Sequence, residues 1–164
     1  MALERGGVGE MGEPDERLYL EDLAAGQTFR SVSQPITAEE IKRFARQFDP
    51  QPFHLEEHEA RQTFFQGLVA SGWHTAALAM RLLVQSAPFA GGIVGTAIEE
   101  LRWLKPVRPD DVLRLETGIL DIQAGKRSRG IVRIKCTTLN QRGEPVQVLT
   151  AALLVSRRSE HSPG

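Results

Sequence analysis

Cysteine is nearly absent from this chain: Cys136 is the only one in 164 residues. No intrachain disulfide can form, and no cluster of thiolates offers a metal site, so a reducing compartment suits it. An excess of charge is missing as well. Twenty Lys and Arg stand against 21 Asp and Glu, a formal net charge of −1. With no net basic field to condense onto a phosphate backbone, nucleic acid is not an expected partner. A phosphate-bearing small molecule remains compatible with that balance, because a few local arginines suffice to hold one. Also missing are an apolar run near the roughly 18 residues of a membrane span and the apolar core of a signal peptide at the start. The expected location is the cytoplasm, with no membrane partner.

What is present is ordinary for a folded chain. Hydrophobic residues make up 41% and charged residues 25%, close to the average of soluble globular domains. The length fits one domain under a prior of roughly 100–200 residues each. Gly6, Gly7, Gly9, Gly12 and Pro14 make residues 1–17 an expected flexible segment, and the polar residues 157–164 an expected flexible tail. The domain is therefore expected over 18–156. No internal repeat or low-complexity block interrupts it.

Weak alternation predicts a first strand near 27–34, ahead of Pro35. Thr37-Ala-Glu-Glu40 has the capping-box pattern, and Ile41, Phe44, Ala45 and Phe48 follow at helical spacing, which predicts a helix over about 38–48. Pro50 and Pro52 end it in a stiff turn. Residues 56–63 fit two short helical turns. From Ser71 to Ser86 the only formally charged residue is Arg81, and Trp73, Ala76, Ala77, Leu78, Ala79, Met80, Leu82, Leu83 and Val84 make the segment apolar nearly all round. Such a helix is expected to be buried on most sides, its alanines close against a sheet.

After Gly91-Gly92 the period changes from 3.6 to 2. Segments 98–104, 112–122, 131–139 and 146–155 read as strands separated by turn residues, with Val132, Ile134 and Cys136 on one inward face. The fold class is α+β: four strands expected as an antiparallel meander, wrapped around one long apolar helix.

Two stretches could carry chemistry. Phe48-Asp49-Pro-Gln-Pro-Phe-His54 sets a carboxylate and an imidazole on a proline-stiffened turn, and acid/base catalysis needs groups that do not drift. The same spacing suits a plainer arrangement, Asp49 capping a turn and His54 bonded to a backbone carbonyl. Gly67-Leu-Val-Ala-Ser-Gly72-Trp-His-Thr75 leads into the apolar helix, whose first amides are unpaired and lie at the positive end of its dipole. Gly72 has no Cβ to obstruct a ligand, so this is a candidate site for polarising a carbonyl; ordinary capping by Ser71 explains the pattern equally. A nucleophilic Ser71 is disfavoured because its flanks are not Gly-x-Ser-x-Gly. His54-Leu-Glu-Glu-His58 matches the inverted zinc-protease pattern, but Pro52 stands too close to His54 for a regular helix and no third ligand is evident. No metal site is expected. Cys136 reads as a small core residue.

Four separated motifs in order, Leu20-Glu-Asp-Leu-x-x-Gly-Gln-Thr-Phe29, Phe48-Asp-Pro-Gln-Pro-Phe-His54, Leu68-Val-Ala-Ser-Gly-Trp73 and Leu101-Arg-Trp-Leu-Lys-Pro-Val107, resemble the MaoC-like dehydratases. These form part of the (R)-specific enoyl-CoA hydratase branch of the hot-dog-fold superfamily. The resemblance covers about 18–156 and implies a central helix wrapped by an antiparallel sheet, and pairing into a homodimer or a higher homo-oligomer. It implies that Asp49 and His54 hold one water between them and add it to a trans-2-enoyl thioester, while the Gly72 amide polarises the thioester carbonyl, so that no metal or redox cofactor is expected. Phe53, Ser71 and Trp73, within the same motifs, are expected to bind the substrate, an acyl-CoA or acyl carrier protein thioester. Many family members have His-Gly where this chain has Ser71-Gly72, and some have a serine near the position of Met80. Two other readings remain open from sequence: a thioesterase, disfavoured because those enzymes generally carry their carboxylate on the central helix and 71–86 has none, and a non-catalytic acyl-binding subunit.

Overall fold

A computed structural model describes residues 17–125 and 127–159. The expected flexible segment before Arg17 and the last five residues of the expected tail lie outside the described residues. Within the tail, the Arg157 amide donates to the Ser128 carbonyl at 2.7 Å and Arg158 pairs with Asp22 at 2.6 Å, so specific contacts continue as far as Arg158.

The predicted first strand is divided into β1 (Thr28–Arg30) and β2 (Gln34–Pro35). Between them the Ser31 hydroxyl accepts from the Leu115 amide at 2.8 Å, a side chain taking the place of a backbone partner. Helix α1 (Ala38–Phe48) begins with the expected capping box: the Glu40 amide donates to Thr37 Oγ1 at 3.2 Å, and the Thr37 amide to Glu40 Oε2 at 3.0 Å. Two short helices follow, α2 (Pro52–Leu55) and α3 (Glu57–Ala60), then the long α4 (Gly72–Ser86). Strands β3 (Val94–Trp103), β4 (Val112–Gln123), β5 (Arg129–Leu139) and β6 (Pro145–Ser156) complete the fold. One antiparallel sheet in the order β1-β4-β5-β6-β3, with β2 also on β4, curves around α4. This is the hot-dog fold.

The strand order corrects the expected meander. β4, β5 and β6 are consecutive hairpin neighbours, but β3 pairs with β6 rather than with β4. The outer edge of β4 is already taken, with Phe29 opposite Thr117 and Gln34 opposite Leu113. The free edge of β6 is left for β3. Periodicity identifies strands; competition for edges decides neighbours.

Ala79, Leu82 and Leu83 of α4 pack on Leu115, Ile119, Val132, Ile134, Ala151 and Leu153 from the concave face. Cys136 lies there too, its Sγ 3.5 Å from Thr117 Oγ1, and burial pushes its thiol pKa up, as befits an inert core residue. A second core gathers Ile36, Ile41, Leu68, Val107, Leu113 and Val146 beneath α1. It anchors the ends of the segments that carry the site.

The opposite side of α4 departs from expectation. Trp73, Met80 and Val84 are 58%, 44% and 54% exposed in the single chain. They recur at near-heptad spacing, so together they form one stripe along the helix. The sheet covers α4 from one side only, and this stripe on the other side is left uncovered.

Candidate active site

Asp49 is the residue that ends α1, its amide donating to the Ala45 carbonyl at 2.9 Å. Pro50 and Pro52 cannot extend the helix, and Pro52 instead opens α2 as its first residue, where a missing amide hydrogen costs nothing. The turn brings His54 back beside Asp49, with Nε2 3.2 Å from Asp49 Oδ2. The other ring nitrogen, Nδ1, lies 2.7 Å from the Val69 carbonyl oxygen. A carbonyl only accepts, so Nδ1 carries a proton there, and Nε2 is the nitrogen turned toward the carboxylate. His54 is buried. Of the plainer expectations, the carbonyl-bonded His54 is present, but the Asp49 carboxylate caps no turn amide and accepts instead from the Gln51 and Ser71 side chains.

The segment before α4 is pinned on both sides: the Val69 amide donates to Phe53 at 3.0 Å and the Ala70 amide to Val107 at 2.8 Å. This delivers Ser71, the N-cap of α4, directly to Asp49. Ser71 Oγ donates to Asp49 Oδ2 at 2.7 Å and accepts from the Trp73 amide at 3.3 Å. Gln51 Nε2 donates to Asp49 Oδ1 at 2.6 Å. Burial alone would raise the pKa of the Asp49 carboxyl, but the hydrogen bonds from Ser71 and Gln51, with the neighbouring His54, hold it below the ordinary aspartate value.

Asp49, His54, Gly72, Phe53 and Trp73 line one cavity of about 430 Å³. Ser71, expected to bind substrate, is not among its lining residues; it is fully buried and turned to Asp49. Gly72 is the first residue of α4, so its amide has no acceptor within the helix. It is also held very close: a Cβ built on Gly72 would fall 2.5 Å from the Trp103 ring. Trp103 Nε1 donates both to the Gly72 carbonyl at 3.0 Å and to Gln147 Oε1 at 2.9 Å. Trp103, Gln147 and the Val69 carbonyl were not singled out from sequence for this site. Trp103 reads as a packing residue in its strand, and a buried glutamine beside Val146 breaks alternation without pointing anywhere.

His58 does not join His54. It is exposed on α3, separated from α2 by the extended Glu56 (φ −135°, ψ 123°), so the continuous helix needed by the zinc-protease pattern is broken. Among the described residues, no group of three or more His, Cys, Asp or Glu could hold a metal ion. Nor is any described helix long and apolar enough to cross a membrane.

The arrangement is that of a pocket holding a carboxylate, an imidazole and a helix-start amide. It can hold a water, move its proton and polarise a carbonyl. A family model described as MaoC like domain matches residues 22–140. The chain is 32% identical over 141 residues to the uncharacterized protein YdeM of Bacillus subtilis (strain 168), covering 85% of this chain and all of that one. Among solved structures it is similar to the MaoC-like dehydratase from Rhodospirillum rubrum, with 54% identity, a TM-score of 0.83 and coverage of 87% of this chain and 99% of that one. It is similar also to the (R)-hydratase from A. caviae involved in PHA biosynthesis, with 25% identity, a TM-score of 0.68 and coverage of 81% and 97%.

Proposed function

Since the chain belongs to the MaoC-like domain family, whose hydratase and dehydratase members share its fold, we propose that it adds water to a trans-2-enoyl thioester to give a 3-hydroxyacyl thioester, or runs the reverse elimination. The observation that carries this reading is the Asp49–His54 pair, 3.2 Å apart, in one cavity with the Gly72 amide. Water held by the pair gives up a proton to His54 Nε2 as its oxygen bonds to C3. The C2=C3 electron pair moves toward C2 and the thioester carbonyl, where the Gly72 amide and the positive end of α4 stabilise the enolate oxygen. Asp49 steadies the imidazolium, and the proton then passes to C2. One water is consumed and its atoms are all retained in the product. The phenyl rings of Phe53 and Phe65 and the Trp73 indole give the acyl group an apolar surround.

Mixing the protein with trans-2-enoyl-CoA of graded chain length tests the reading. Loss of the conjugated-thioester absorbance without appearance of free thiol is the expected result. Release of CoA from saturated acyl-CoA would mean a thioesterase instead, and retention of intact thioester at every length a binding subunit.

The same reading makes the working form a homodimer or a multiple of one. The uncovered stripe of Trp73, Met80 and Val84 on α4 and the open outer edge of β3 are the surfaces that support it, since unpaired strand edges and apolar stripes need covering. Sedimentation at micromolar concentration should show at least twice the monomer mass. A Met80→Glu variant should shift the population toward monomer; a wild-type chain that sediments only as a monomer would contradict the assignment.

A further inference from the structure

Resting on the hydration reading of the site, we propose that Ser71 is a positioning residue that fixes the direction of the Asp49 carboxylate and couples it to the amide end of α4. An N-cap serine needs only to accept a hydrogen bond from its helix. Ser71 does that with the Trp73 amide at 3.3 Å and also donates to Asp49 Oδ2 at 2.7 Å. The proton directions follow from chemistry. A backbone amide can only donate, so Ser71 Oγ accepts there, and its single proton is left for the carboxylate. Amide to hydroxyl to carboxylate is a chain in which each bond polarises the next, in a place closed to water, because Ser71 is 0% exposed.

Geometry gives this chain a role beyond capping. Asp49 ends α1, and Gly72, whose amide would polarise the carbonyl, begins α4; only Ser71 bonds to the carboxylate while standing next to Gly72 in sequence. It therefore sets the separation between the Asp49 carboxylate and the carbonyl-polarising amide. Gln51 holds the other oxygen, Oδ1, at 2.6 Å, so the carboxylate cannot rotate and Oδ2 stays between Ser71 and His54. Two donors on a carboxylate also favour its charged form against burial. The charged and titratable groups around Asp49 are few. His54 faces it from α2. Lys105 lines the same cavity from the β3–β4 connection, with its ammonium paired to Glu144. Arg46 of α1 pairs with Glu39, and His74 of α4 stacks on Phe44 at 4.7 Å, lining a different cleft.

Carbon-13 NMR of the Asp49 carboxyl group, read against pH, tests the proposal without substrate. Ser71→Ala removes the donor, and the Asp49 midpoint should rise by about one unit, the size of one lost hydrogen bond to a charged group. Ser71→Cys keeps the volume close but supplies only a weak donor; it should show the same direction and covers the case in which the alanine variant does not fold. Ser71→Thr keeps the hydroxyl and should restore the wild-type midpoint. On enoyl-CoA, the alanine variant should lose about tenfold in kcat with KM nearly unchanged, as expected for a group felt mainly in the transition state. A midpoint unmoved in folded Ser71→Ala or Ser71→Cys overturns the proposal. If wild type hydrates no enoyl-CoA, the functional reading fails by itself, and the titration still decides the role of Ser71.

Discussion

Asp49→Asn and His54→Ala are each expected to slow hydration of a short or medium trans-2-enoyl-CoA by about 10²–10⁴-fold, the range for losing a positioned acid/base group. The asparagine retains an oxygen for the Ser71 hydroxyl but no charge to steady the imidazolium. The alanine removes the Nε2 that would take the water's proton and leaves the Val69 carbonyl without its 2.7 Å donor, so a thermal melt is needed to show that the fold survives. Because the two side chains act on one water, the double variant should be hardly slower than either single one. His58→Ala, exposed on α3 and outside the cavity, is the control and should behave as wild type. Normal hydration by both single variants would remove the pair from the mechanism and turn attention to the thioesterase assay.

Gly72→Ala is the second large effect expected, and it comes from crowding alone. Alanine keeps the backbone amide, yet its Cβ would stand 2.5 Å from Trp103 Cε2 and 2.8 Å from Trp103 Cδ2 and Nε1. The indole cannot swing away freely, because Nε1 is bonded to the Gly72 carbonyl and to the buried Gln147. Either the indole breaks those bonds or the first turn of α4 shifts, carrying the Gly72 amide off the carbonyl it would polarise. Overpacking of this kind costs about 1–3 kcal/mol of stability, and misplacing such a donor costs about 10²–10³ in kcat. Gly118→Ala, where the added Cβ meets nothing within 4 Å, should melt and turn over as wild type. Trp103→Leu in the Gly72→Ala background should recover much of the lost stability by making room. If Gly72→Ala alone is fully active and stable, the helix start is more pliant than the close approach of Trp103 implies.

The local patterns of this chain are legible because they are set by near neighbours. The capping box at Thr37 and Glu40, the proline stop after Phe48, the alternation of β4 and β5 and the inward Cys136 each depend on a few adjacent residues, and each appears in the fold as the sequence predicts, whereas β3 begins at Val94 rather than 98 and is exposed along nearly its whole length. Four motifs in order also identify the family and with it the wrapped helix. The Asp49–His54 pair belongs partly to this class, since a stiff turn of six residues limits how far the two side chains can separate.

Tertiary structure decided the rest, wherever distant segments compete for one place. That β3 lies beside β6 depends on β1 and β2 having occupied the edge of β4. That Trp73, Met80 and Val84 stay exposed depends on the sheet packing against only one side of α4. Ser71 faces Asp49 rather than the cavity because Phe53 and Val107 pin the two residues before it, and Trp103 closes on Gly72 from a strand 31 positions away. Contacts of that kind carry no local signature: the residue types that make them, a serine before a helix and a tryptophan in a strand, are common everywhere, and only their meeting in space gives them a role.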